Sequence, residues 1–175
     1  MILGMTTHAF TVFHVIISLL AIVSGAVVAF GLLTAKRLDR LTAFFLGTTA
    51  LTCVTGFLFP IAKITPAIVV GILCLATLAV AIFARYVREL AGASRWIYVV
   101  TALLALYFNV FVLVVQSFEK IPALRALAPT QSEAPFKVAQ LVVLLAFITL
   151  GTFAVRRFRF EPARAMRVAG AGVGR

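Results

Sequence analysis

The sequence predicts an all-α polytopic membrane protein, a bundle of five transmembrane helices with the N-terminus outside and the C-terminus cytoplasmic. Three observations predict it. Five apolar runs fill most of the chain, each close to the ~20 residues a helix needs to cross a hydrocarbon core of ~30 Å. Charged residues make up 12% of the 175 residues, against about 25% in a soluble domain. Lys and Arg gather on one side of the weave that the runs define, and loop Lys/Arg set topology.

The first run, 9–34, follows a short N-terminal stretch without Lys or Arg. It is too long, and charged on the wrong flank, for a cleaved signal peptide, so it is expected to remain as a helix that tilts or projects beyond the bilayer. The second run, 41–61, closes on F-L-F-P, and Pro60 and Pro66 bracket Lys63 in a tight outer turn, where helix breaking costs little. The third is 65–84 and the fourth 96–118; Tyr86, Trp96 and Tyr98 lie between or at their ends, at the level where amphipathic rings settle in a bilayer. The fifth is 137–155. Only a helix satisfies every backbone group in lipid within one linear run, so these are helices and not strands.

The basic residues orient the weave. One side holds Lys36, Arg37, Arg40, Arg85, Arg88, Arg95, Arg156, Arg157, Arg159, Arg164, Arg167 and Arg175, twelve in all; the other holds Lys63, Lys120, Arg125 and Lys137. That bias makes the larger set cytoplasmic. A four-helix reading would put the C-terminal cluster opposite the first loop. The net charge of +11 is thus an orientation signal and not the footprint of a nucleic acid. Residues 1–155 form one transmembrane domain. The tail, 156–175, is basic, and its Arg156, Arg157 and Arg159 are expected on anionic headgroups at roughly 1 kcal/mol each.

The longest connection, 117–136, lies outside in this threading. Phe118, Ile121, Leu124 and Leu127 recur every three residues, the spacing of a short interfacial helix with its apolar side on the bundle. Ser132 is placed to N-cap the fifth helix, with Pro135 in its first turn. Glu133 then sits near the positive helix start and within reach of Lys137. Glu119, Lys120, Glu133 and Lys137 are the polar groups of this cap or lid.

His14 is the residue most suggestive of function. It lies about six residues inside the first helix, hence on the order of 10 Å below the outer surface, where an ionisable group is costly and faces a cavity or a partner. Thr52, Thr55, Asn109, Gln116 and Gln140 share its half of the membrane. In lipid, such groups are expected to turn inward and pair. They serve equally as a ligand site or as hydrogen-bonded bracing. His8 and His14 are six residues apart, so they point about 120° away from each other and cannot flank one haem. A b-type haem would need a His14 from a second copy, and no cofactor or metal is otherwise predicted. Cys53 and Cys74 lie at equal depth if the second hairpin turns at 63–64; they read as small packing residues without a C-x-x-C. Ala21-x-x-x-Gly25-x-x-x-Ala29 and Thr48-x-x-x-Thr52-x-x-x-Gly56 are small-residue stripes that let helices approach closely, within the bundle or across a homodimer seam. There is no nucleophile elbow, H-E-x-x-H, phosphate loop or carboxylate pair.

F-H-V-I-I-S at 13–18, T-G-F-L-F-P at 55–60, R-W-I-Y-V-V-T-A at 95–102 and A-P-T-Q-S-E-A-P-F at 128–136 together resemble a family of small multi-pass bacterial inner-membrane proteins. The resemblance covers the chain to about Arg157. It implies an inner-membrane location and carries no activity across. The expectation is therefore a non-enzymatic integral membrane protein with a small polar site in its outer half. It would bind or pass a small molecule, lipid or proton, or serve as an accessory subunit of a membrane complex. The alternative is a haem- or quinone-linked electron-transfer subunit using His14 at a dimer interface.

Overall fold

The computed structural model describes residues 1–60 and 66–158. Its helices are α1 (Thr7–Leu33), α2 (Asp39–Phe57), α3 (Pro66–Ile82, continued by a π turn at Phe83–Val87), α4 (Ser94–Lys120), α5 (Pro122–Leu127) and α6 (Ala134–Arg157). Among the described residues there is no strand, only an isolated bridge between Ile2 and Met5. Among the described residues four helices are long and apolar enough to cross a membrane: Thr7–Leu33, Pro66–Val87, Ser94–Lys120 and Ala134–Arg157.

α2 is not one of the four, because it opens on Asp39 and Arg40 and carries five threonines. Three of them turn their hydroxyls back on their own helix: Thr48 donates to the Phe44 carbonyl (2.8 Å), Thr52 to Thr48 (2.9 Å) and Thr55 to Leu51 (2.7 Å). This i−4 bonding removes much of the polarity that a hydropathy scale assigns to threonine. α2 ends at Phe57, short of the expected 61, since Pro60 offers no N–H and pushes its predecessor out of helical geometry. The turn expected around Lys63 lies outside the described residues.

α4 is the central helix, packed against α1, α2, α3, α5 and α6. α1 lies chiefly along α2, and α3 along α4. α6 leans on α4 and α1 and buries just Ala154 of its 24 residues. The Ala21/Gly25/Ala29 stripe is consumed inside the bundle. A Cβ added at Gly25 would stand 2.6 Å from Leu106 Cδ1 and 2.7 Å from Phe45 Cε2, so α1, α2 and α4 meet there at a distance that a hydrogen alone permits.

Two sets of contacts define the ends of the bundle. At one, Asp39 at the start of α2 bonds Arg85 in the π turn (2.5 Å), and Arg95 at the start of α4 donates to the Phe158 carbonyl just past α6. At the other, Phe10 of α1 stacks edge-on to Phe59 beyond α2 (5.1 Å), and Phe118 of α4 meets Phe136 of α6 (5.4 Å). α2 therefore reaches from one end of the bundle to the other.

Several local expectations change. Phe118 belongs to α4, and the separate helix α5 is six residues long with no buried residue; Ile121 and Leu127 are exposed rather than laid on the bundle. The N-cap position of α6 is Glu133 and not Ser132, and its side chain makes no capping bond. Tyr98 is not an interface ring: it is fully buried beneath Arg85. Arg159 and the rest of the tail, 159–175, lie outside the described residues.

Candidate functional site

His14 sits two helical turns into α1 and meets Thr55 of α2, with Nδ1 2.7 Å from Oγ1. The Thr55 oxygen also lies 2.7 Å from the Leu51 carbonyl and 3.1 Å from that of Thr52. A hydroxyl has one proton to give. With that proton on a helix carbonyl, Thr55 accepts from His14, so a neutral ring carries its hydrogen on Nδ1 and presents Nε2 as an acceptor. Nε2 has no hydrogen-bond partner among the described residues. Gly56 lies beside the ring, where a Cβ would make an ordinary van der Waals contact with His14 Cε1 at 3.6 Å. Phe59 closes one side edge-on at 5.3 Å, and Phe10 packs behind it. The imidazole is thus half-buried in an aromatic wall on the α1–α2 seam.

The other polar residues occupy different seams. Thr52 stands one turn from Thr55 with its hydroxyl engaged by its own helix. Asn109 of α4 donates to Thr49 of α2 (3.4 Å) and to the Ala105 carbonyl (3.3 Å). Gln140 of α6 donates to the Phe111 carbonyl of α4 (3.2 Å), while its own Oε1 is buried without a partner among the described residues. Gln116 is exposed and its side chain makes no hydrogen bond among the described residues; one turn from Lys120, it lies near the helix end where inward pairing is not required. His14 and Thr55 are brought together, then; Asn109 and Gln140 each join α4 to a neighbouring helix, and the Thr52 and Gln116 side chains join none.

The cap is organised around Glu133. Its carboxylate accepts from the Thr130 hydroxyl (2.8 Å), the Thr130 N–H (3.2 Å) and the Ser132 N–H (3.0 Å). Desolvation, the largest single influence, raises its pKa, but the hydrogen bonds from Thr130 and Ser132 together outweigh it and hold the carboxyl below the usual range. Turned back this way, Glu133 does not pair with Lys137, whose backbone N–H alone reaches it (3.2 Å, to the carbonyl). Glu119 and Lys120 pair with each other at 3.2 Å. Arg156 and Arg157 close α6 in its last turn.

Sequence reasoning missed two features. Arg85, read as an interface charge, is 2% exposed; it bonds Asp39 and lies over the Tyr98 ring at 4.9 Å. Gln131 adopts a left-handed φ of 58° and donates to the Val115 carbonyl of α4 at 3.1 Å. Cys53 and Cys74 are free and buried in the same core cluster. Among the described residues no three His, Cys, Asp or Glu side chains gather as a metal site would require.

No family model, curated protein or solved structure matches this chain. The functional reading therefore rests on the residues themselves.

Proposed function

We propose that the chain crosses the bacterial inner membrane five times, N-terminus outside. In its outer half a polar site centred on His14 and Thr55 binds a small molecule or lipid or hands on a proton. The protein works without catalysis, as a binding protein or as an accessory subunit of a membrane complex. The full height of α2 supports the fifth crossing. The charges support the orientation: Lys36, Arg37, Arg40, Arg85, Arg88, Arg95, Arg156 and Arg157 belong to the Asp39 end, and Lys120, Arg125 and Lys137 to the His14 end.

One observation carries the site: an imidazole fixed through Nδ1 with Nε2 left open, inside an apolar wall where an unpaired acceptor is costly. Native mass spectrometry of purified protein tests it. The wild type is expected to retain a small species that His14→Ala loses while helical content by circular dichroism is kept. Equal retention by both proteins, or unfolding of both His14→Ala and His14→Gln, assigns His14 to structure instead.

The same geometry favours a second reading. An imidazole with one nitrogen held by a neighbour and the other open is how axial ligands are oriented, and a His14 from each of two copies would complete a haem. A Soret band in the purified dimer is its test, and its absence removes this reading.

A further inference from the structure

At the His14 end, the C-terminus of α4, helix α5 and the 128–131 turn enclose a cleft of about 520 Å³ whose lining includes Lys120, Arg125, Thr130 and Gln131. A second cavity, between α1 and α6, is apolar and lined by Leu33, Leu145, Leu150 and Phe153 among others. The acids near the polar cleft are already committed. Glu119 faces Lys120, and Glu133 is saturated by Thr130 and Ser132. The Arg125 side chain has no hydrogen bond or ion pair among the described residues. Its guanidinium offers five donors in a planar fork, matched to two oxygens of an oxyanion.

The frame around it is preorganised. Ile121 donates to the Ser117 carbonyl (3.0 Å), Ala128 to Leu124 (3.1 Å) and Gln131 to Ala128 (3.2 Å), so α4, α5 and the turn are bonded in series. The Gln131 side chain then ties the turn to Val115, and a left-handed backbone at a non-glycine residue is held there by that bond. The negative end of α4 also points here and offsets about half a charge. Within the lining two cations face one carboxylate, Glu119; Glu133 keeps its charge just beyond Thr130, which leaves Arg125 as the cation of the lining without an ion pair among the described residues.

We propose that this cleft binds a phosphate group, with Arg125 as the bidentate contact and Lys120 as the second cation. The phosphate belongs either to a soluble phosphate or phosphoester, or to a lipid headgroup. The proposal uses neither His14 nor the membrane orientation, so it stands or fails apart from both.

Purified full-length chain in dodecyl maltoside, which carries no phosphate, separates the sources. Inorganic phosphate is titrated by calorimetry, and added phosphatidylglycerol is scored by retention in native mass spectrometry. Binding of phosphate points to the soluble source; retention of the lipid alone points to the headgroup. In either case R125Q is expected to weaken binding at least tenfold, R125K (charge kept, fork lost) by an intermediate factor, and K137Q, an equal charge change outside the cleft, less than twofold. Arg125 is exposed on α5, so R125Q leaves the bundle intact. Failure of the wild type to bind either probe overturns the proposal, as does an R125Q effect less than three times that of K137Q.

Discussion

Removing the Asp39 carboxylate is expected to destabilise the bundle more than removing the arginine it serves. Arg85 is 1% exposed at its side chain, Nη2 lies 2.5 Å from Asp39 Oδ1, and its Nε has no partner among the described residues. In Asp39→Ala the guanidinium stays buried with only the Tyr98 face at 4.9 Å and the Tyr86 ring at 5.7 Å. Those rings supply about 1–2 kcal/mol. Stripping one partner from a fully buried pair costs about 3–5 kcal/mol. Asp39 is 61% exposed and shared with Arg37, so water softens the loss and about 2–3 kcal/mol is expected. Arg85→Met removes the buried charge and keeps much of the volume, so it is expected to cost about 1 kcal/mol or less. The double variant should resemble Arg85→Met, a coupling of about 2 kcal/mol. Reversible unfolding in mixed micelles reads these differences through Trp96, the single tryptophan, two residues from Tyr98. Asp39→Ala within about 0.5 kcal/mol of wild type, or Arg85→Met the worse of the two, refutes the reasoning.

Three further outcomes follow from local geometry. Gly25→Ala is expected to cost about 1–3 kcal/mol from overpacking, because its Cβ would lie 2.6 Å from Leu106; Gly47→Ala, with nothing within 4 Å, should be neutral or stabilising by up to about 1 kcal/mol, and equal effects in an unfolding titration would contradict the packing. The Glu133 carboxyl is depressed in the folded chain, so its contribution is complete above the ordinary value of about 4.3 and disappears as pH falls through the folded one. Glu133→Gln should therefore loosen the 128–133 turn near neutral pH but match wild type in strong acid, as hydrogen exchange would show; a difference that persists in acid assigns the effect to something other than charge.

The helices were legible because charges and prolines bound the apolar runs. Thr55 was legible as one of five polar residues sharing the half of the bundle that holds His14, and the small-residue stripe around Gly25 as a close approach. What escaped depends on contacts distant in sequence. Arg85 is just past an apolar run, as an interface anchor would be, and nothing nearby says that a π turn carries it inward to an aspartate 46 positions away. Tyr98 follows the same logic, since the buried cation claims its ring. Gln131 was hidden by its turn: an αL glutamine is not a recognisable signal, and only the Val115 bond explains it. The spread of Asn109 and Gln140 onto separate seams was beyond periodicity, which gives a helix face but not the neighbour opposite it.

The central claim is the threading that puts His14 and the 117–136 cap outside, and cysteine labelling tests it most directly. Ala126 on α5 and Ala91 between the π turn and α4 are both exposed, while the native Cys53 and Cys74 are buried and give little background. An impermeant maleimide applied to intact spheroplasts should label A126C, and A91C only after permeabilisation. The reverse pattern, or both positions labelled from the same side, contradicts the account.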